Sequence, residues 1–375
     1  MDTISTGIGG ALLAKALPEH ERGPRGVWAV TLASLLPDAD VFADFLLDDP
    51  LADLTQHRGF THSLLGLGVM APLVAWLLWR FSKDKNYRQL LALVTLGLLW
   101  HLFTDLATSW GTMVFHPFSR QRVVWDLLFI IDFAFTGILL LPQLAAWIYR
   151  RPNGAARRAG LAWALLVSFT ALVLAWASPF FGRPFDAALL LLLSSVLAGL
   201  LFAPALRGWG FRQSRTTFCR LGLAALGVYL GVCTTAHFVG LEQVKQFSRA
   251  RALAVEAQAA LPQPLSPFRW SGLVLTPEGV YQSWFHVLEA DAPEFEFFPT
   301  ARNEFVARAE RLPAVKTYLW FARFPLVRYR KTGGLHLVEY TDLRFQVPRN
   351  RSSPFVFRIT FNAQGKVLAY GFRAP

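Results

Sequence analysis

Apolar residues run in long blocks through the first two-thirds of the chain, with short polar breaks between them. A helix crossing the hydrocarbon core of a bilayer needs about 20 apolar residues, and several blocks approach or reach that length. His62–Trp79 contains no Asp, Glu, Lys or Arg, and Gln89–Thr104 is equally free of them before continuing to Thr108 across Asp105. Leu127–Tyr149 holds Asp132 near its start, whereas Ala159–Ser178, Ala187–Leu206 and Leu221–Leu241 are cleaner spans. Val27–Leu47 is interrupted by Pro37, Asp38, Asp40 and Asp44. It predicts a broken or partly re-entrant helix, which a membrane tolerates only where irregular backbone is buried in protein or faces water. Residues 1–17 lack a basic n-region and a small-residue cleavage site, so no signal peptide is expected there.

After Leu241 the pattern changes. Glu242–Leu261 reads as helix, with Val244, Phe247, Leu253 and Ala257 at roughly helical spacing. Pro262, Pro264 and Pro267 then break it. Further on, Phe355, Phe357, Ile359 and Phe361 alternate with Val356, Arg358 and Thr360, the period of a half-buried strand. Val280–Leu288, Lys316–Phe324, Leu335–Tyr340 and Val367–Phe372 also read as strands, separated by Gly-containing turns. The expected fold is mainly α: a polytopic transmembrane helix bundle over residues 1–241, then a small α+β extramembrane domain with an antiparallel sheet over 242–375.

Composition supports this division. The chain is 54% hydrophobic and 17% charged, which excludes a disordered chain and sits below an ordinary cytosolic enzyme. Two cysteines are too few for a disulfide-stapled module. Cys219 and Cys233 are too far apart along one helix to bond, so both read as packing residues. The net charge of +12 invites a nucleic-acid reading, but the basic residues lie in short clusters between apolar blocks. With Val27–Leu47 running outward, the inner loops 18–26, 82–88, 149–158 and 207–220 hold thirteen Lys/Arg, against four in the outer loops 48–60, 109–122 and 179–184. Short loops rich in Lys and Arg stay cytoplasmic, so residues 242–375 are expected outside the cytoplasm. The expected surroundings are membrane lipids, with no nucleic acid.

Against this sparse charge, four elements combine His and Asp. They are Leu36-Pro37-Asp38-Ala39-Asp40, His57-Arg58-Gly59-Phe60-Thr61-His62-Ser63, His101-Leu102-Phe103-Thr104-Asp105, and Trp125-Asp126 followed by Asp132. Thr61 reads as a helix N-cap, and the i, i+4 spacing of His101 and Asp105 puts both on one helix face. The charge-derived topology places all four elements toward the outer ends of their segments. Ionisable groups at membrane depth face a polar interior or a cavity. Imidazole with carboxylate suits a divalent metal, zinc first, with manganese or iron as rivals. Two other readings fit the same residues: a structural metal or polar cluster that ties helices together, and a transporter with an acidic intramembrane site.

Taken in order, these motifs resemble the bacterial inner-membrane metal-dependent hydrolase family that has a LexA-regulated member. The resemblance rests on Met1-Asp2, the Leu36–Asp40 and His57–Ser63 motifs, and His101-x-x-x-Asp105. It extends through Ser109-Trp110-Gly111-Thr112, His116-Pro117-Phe118-Ser119 and Phe129-Ile130-Ile131-Asp132, covering about residues 1–145. Glu339–Phe345 fits the general layout. The resemblance implies hydrolysis by a metal-activated water of an ester or phosphoester, and a site at the outer leaflet favours a lipid or lipid-linked substrate. His57, His62, His101 and Asp105 would be core ligands, with Asp38 and Asp40 additional or bridging. Asp40 or Asp126 would be the general base, and Arg58 would bind a phosphate. Many members have a histidine near the position of Thr6, so one ligand fewer is implied here. His116 reads as peripheral, and His237 as bonded to a neighbouring helix.

Overall fold

The computed structural model describes residues 1–23, 25–44, 51–81, 86–181, 185–346 and 355–372. The end of the Val27–Leu47 stretch and parts of the 82–88 and 179–184 loops lie outside the described residues. The membrane part comprises α1 (Thr3–Ala16), α2 (Gly26–Leu35), α3 (Leu64–Phe81), α4 (Tyr87–Leu106), α5 (Phe133–Ile148), α6 (Ala155–Phe181), α7 (Ala187–Phe202) and α8 (Arg215–Ala250). Among the described residues, five stretches are long and apolar enough to cross a membrane: α3, α4, Ala155–Trp176, Ala187–Leu206 and α8; α2 and α5 are shorter apolar helices. Only 11% of the Ala155–Trp176 window and 6% of the Ala187–Leu206 window are buried. Their apolar surface is therefore left to lipid, as expected of helices that are apolar all round.

Polar side chains set the helix starts. Asp2, Asn86, Asp132, Asp186 and Ser214 each accept a hydrogen bond from a backbone N–H of the first turn. Asp132 accordingly begins α5 at Phe133, and residues 107–132 form a connection rather than the start of a span. Pro37 breaks the second segment as its sequence predicts: α2 stops at Leu35, and Pro37–Asp40 make a tight 3-10 turn. The helix over Thr3–Ala16 is not visible as an apolar block, because Ser5, Thr6, Gly7, Gly9 and Gly10 occupy its buried face. These small residues let it pack closely against α2, α5 and α8.

One helix, α8, carries the chain from the bundle into the second part without a break at Leu241. The expected helix Glu242–Leu261 ends early, because Ala257–Pro262 is strand β1. Two sheets follow where one is expected. The first is β1, β2 (Arg269–Thr276), β3 (Gly279–His286) and β4 (Glu296–Pro299); the second is β5 (Pro325–Thr332), β6 (Leu335–Asp342), β7 (Phe357–Phe361) and β8 (Val367–Phe372). Both are antiparallel meanders in sequence order. Between them lie α9 (Glu304–Ala309) and α10 (Pro313–Phe321). Lys316–Phe324 is thus mostly helix rather than strand. Pro313 starts it in the position that needs no N–H, and Val315, Tyr318 and Phe321 recur at helical spacing to fill the core against the second sheet.

Close approach of α2 to α4 brings the polar motifs together. A Cβ on Gly97 would lie 2.4 Å from the Val30 carbonyl oxygen and 2.8 Å from the Ala33 Cβ, so only glycine fits at this crossing. Gly97→Val is expected to lower stability by about 1–3 kcal/mol, the usual cost of overpacking. Thermal unfolding in detergent checks this; an unchanged midpoint would show that the crossing does not depend on Gly97.

Candidate metal centre

Four ligand atoms converge where α2, α4 and the turns around Asp38 and His62 meet: Asp38 Oδ1, His62 Nε2, His101 Nε2 and Asp105 Oδ2. His62 Nε2 lies 3.0 Å from His101 Nε2, 3.3 Å from Asp105 Oδ2 and 3.5 Å from Asp38 Oδ1. His101 Nε2 is 3.5 Å from each of the two carboxylate oxygens. A tetrahedral ion with N and O ligands at about 2.0–2.1 Å requires edges of about 3.3 Å. The group fits that size.

The outer contacts of each ligand fix which atoms face inward. Ser34 is in the last turn of α2, whose final carbonyls have no partner within the helix. Its carbonyl accepts from His101 Nδ1 at 2.7 Å, so the proton of a neutral His101 is on Nδ1 and the Nε2 lone pair is free. Thr61 donates its hydroxyl proton to Asp40 Oδ2 at 2.8 Å, and its oxygen can then accept from His62 Nδ1 at 2.9 Å. With His62 neutral as well, that leaves its Nε2 lone pair pointing at the His101 Nε2 lone pair. Two lone pairs at 3.0 Å beside two carboxylate oxygens form an acceptor-only cluster, which calls for a cation. Asp105 Oδ2 is buried and has no hydrogen-bond partner among the described residues. This His/Asp group can hold a metal ion.

Asp105 is fully buried, and its second oxygen is neutralised from the opposite side. Arg58 Nη2 lies 2.9 Å from Asp105 Oδ1, and the Met1 amino group lies 2.6 Å from the same atom. Arg58 is itself buried, with Nη1 donating to Thr108 Oγ1 at 3.0 Å. Its backbone is in the left-handed region at φ 59°, a conformation costly for a residue with a side chain. The guanidinium expected to bind phosphate is thus committed to Asp105 and Thr108.

The remaining expected site residues divide. Asp40, His57 and His62 make a second group that could hold an ion, with Asp40 Oδ1 3.0 Å from His57 Nδ1 and Asp40 Oδ2 3.4 Å from His62 Nδ1. A neutral imidazole has one lone-pair nitrogen, so His62 serves one group at a time; with its proton on Nδ1 it serves the buried one. Asp126 joins neither group. Both of its oxygens accept from Arg323, each at 2.9 Å. Asp132 caps α5 and accepts from the Tyr229 hydroxyl at 2.7 Å. Thr6 lies outside both groups, its hydroxyl 3.1 Å from the Asp2 carbonyl and 3.4 Å from the Thr104 hydroxyl. His116 packs edge-on to Phe60. Ser63 rather than Thr61 caps α3, accepting from Gly66 N at 2.9 Å.

Sequence pattern gives no warning of Ser34 or Thr108 as neighbours of this centre, or of Arg323 and Arg344 as partners of the connection after α4, since each lies on a different segment. Arg344 is buried, and burial lowers its hold on its proton while Asp342 opposes the shift. Arg122, in the same connection as Trp110, is pushed down to about 9 by burial and by the charges of Arg344, Arg58 and Arg120. It remains charged at neutral pH. Replacing Arg58 with Met would leave the buried Asp105 without its main side-chain countercharge. A loss of about 3–5 kcal/mol is expected, the usual cost of breaking a buried pair. Denaturant unfolding of the two proteins checks it, and a loss below 1 kcal/mol would reject the pairing as a stabilising one.

Comparison with known proteins places these residues in context. Over 154 residues the chain is 28% identical to the uncharacterized protein YfhP of Bacillus subtilis, covering 39% of this chain and 46% of that protein. The chain thus spans about half the length of the curated relative it matches. No solved structure matches. Residues 1–179, which contain both ligand groups, match the model of the family described as YdjM inner membrane protein, in agreement with the inner-membrane family that the motifs resemble.

Proposed function

We propose that this membrane protein is a metal-dependent hydrolase, cleaving an ester or phosphoester of a lipid or lipid-linked substrate at the outer face of the inner membrane. The observation that carries the reading is the convergence of Asp38, His62, His101 and Asp105, whose four inward-facing atoms are all acceptors when both histidines are neutral. Two nitrogens and two oxygens at tetrahedral separations favour zinc over manganese or iron. A divalent ion bound there would supply Lewis acidity and lower the pKa of a bound water toward about 7.

The chain's own residues supply the rest. Asp38 is the most exposed of the four, at 14%, against 0–1% for His62, His101 and Asp105, so the centre is approached from the Asp38 side. Asp40 lies on that side, bonded to His57 and Thr61, and is the carboxylate placed to accept a proton. Asp126, the other expected base, is bound by Arg323 and is assigned no proton transfer. Ile4, Phe42 and Phe60, sequence neighbours of Thr3, Asp40 and Thr61, are exposed apolar side chains, in keeping with a substrate that has a lipid portion.

A structural ion is the second reading, and one observation favours it: four protein ligands can close a tetrahedral site, whereas a catalytic zinc keeps a position open. Metal analysis of the purified full-length protein decides whether an ion binds. About one equivalent is expected in the wild type, with a clear loss in His101→Ala and Asp105→Ala; equal stoichiometry in all three would reject the centre. Chelation then separates the readings. Loss of esterase or phosphoesterase turnover with the helical signal intact supports catalysis, and unfolding on chelation supports the structural ion.

The excess of Lys and Arg in the inner loops supports an extracytoplasmic second domain. A reporter fused after Pro375 should be active only outside the cytoplasm, and activity inside would reverse the topology.

A further inference from the structure

Most of the connection between α4 and α5, residues 107–128, is gripped from both sides. On the membrane side it holds Arg58 at two points. Thr108 Oγ1 accepts from Arg58 Nη1 at 3.0 Å while donating to the Asp105 carbonyl at 2.9 Å, and Met113 N donates to the Arg58 carbonyl at 3.0 Å. On the far side it is held by the second domain. Arg344 Nη1 donates to the carbonyls of Ser109 and Trp110 at 3.0 and 3.3 Å. Its other nitrogens bind Asp342 Oδ2 at 2.7 Å and the Phe321 carbonyl at 2.9 Å. Asp126, at the other end of the connection, takes both guanidinium nitrogens of Arg323. Between these anchors the Trp110 ring packs on Phe321, Phe345 and Phe355 and also faces His57.

We propose that the second domain is a positioning clamp for the metal centre: Arg344 and Arg323 hold residues 107–128, which hold Arg58, which turns Asp105 Oδ2 toward the ion. This inference rests on the metal reading above. Its physical basis is the geometry of Asp105. One oxygen is held by Arg58 together with the Met1 amino group, so a shift of the guanidinium removes one of its two anchors and loosens the aim of the other oxygen at His62 and His101. Arg344 suits the task because its planar fork satisfies carbonyls of two chain segments at once, which a lysine cannot reproduce. A buried arginine used only as domain glue would leave the centre unchanged when removed.

The test uses the full-length protein in detergent, loaded with Co²⁺ as a spectroscopic probe, and zinc retention against a competing chelator. Arg344→Gln should weaken metal binding about tenfold, the lower end of the effect of outer-shell partners, and should change the visible absorption bands of bound cobalt. Arg344→Lys should recover only part of the affinity. Arg323→Gln, which removes the more exposed anchor, should shift binding in the same direction and decides the matter if Arg344→Gln does not fold. Unchanged affinity and cobalt spectrum in the folded variants, with only the unfolding midpoint lowered, would overturn the clamp while leaving the metal reading intact. A wild type that binds neither Co²⁺ nor zinc would overturn the metal reading and the clamp with it.

Discussion

A carboxylate at position 105, removed from solvent near the end of an apolar helix, cannot stand alone. The cost of burying an unpaired charge runs to several kcal/mol even after relaxation. The structure answers this from two directions. Arg58 and the Met1 amino group meet one oxygen, and the other joins Asp38, His62 and His101 in a group that can hold a metal ion. Much of the surrounding architecture serves that division. The left-handed turn at Arg58, the break of α2 at Pro37 and the close α2–α4 crossing at Gly97 bring the countercharge and the ligands to the same carboxylate.

The same logic explains why the outer contacts are so specific. Ser34 and Thr61 offer an acceptor to the outer nitrogens of His101 and His62, which leaves the inward nitrogens of the neutral rings as lone-pair donors. Such partners orient ligands and tune the ion they hold. Asp40 and His57 extend the arrangement toward the more exposed side. The centre is thereby graded: fully buried at Asp105, partly open at Asp38, Asp40 and His57.

The second domain is more than an appendage on the end of α8. Its core reaches back to the membrane part, with Trp110, Leu51 and Leu54 packed in the same cluster as α10 and the second sheet. Two arginines from this domain bind the α4–α5 connection, one through carbonyl oxygens and one through Asp126. The connection that holds Arg58 is consequently bound by both parts of the chain.

Patterning by itself determined the membrane character, most of the spans, the break at Pro37 and the shift to alternating strands, because each depends on local apolar spacing. His101 and Asp105 were legible for the same reason, since one helix face fixes their relation. Local reading misled where tertiary packing won: Lys316–Phe324 reads as a strand, yet Val315, Tyr318 and Phe321 share one buried helical face. It also missed α1, whose small polar residues are buried by close helix packing rather than by their own hydropathy. The roles within the charged set were settled only by the fold. Arg58 and Asp126 read alike as available chemistry, but one neutralises Asp105 and the other binds Arg323, residues distant in sequence. A charged side chain's function depends on which opposite charge reaches it in a low-dielectric interior, and that pairing is a property of three-dimensional proximity.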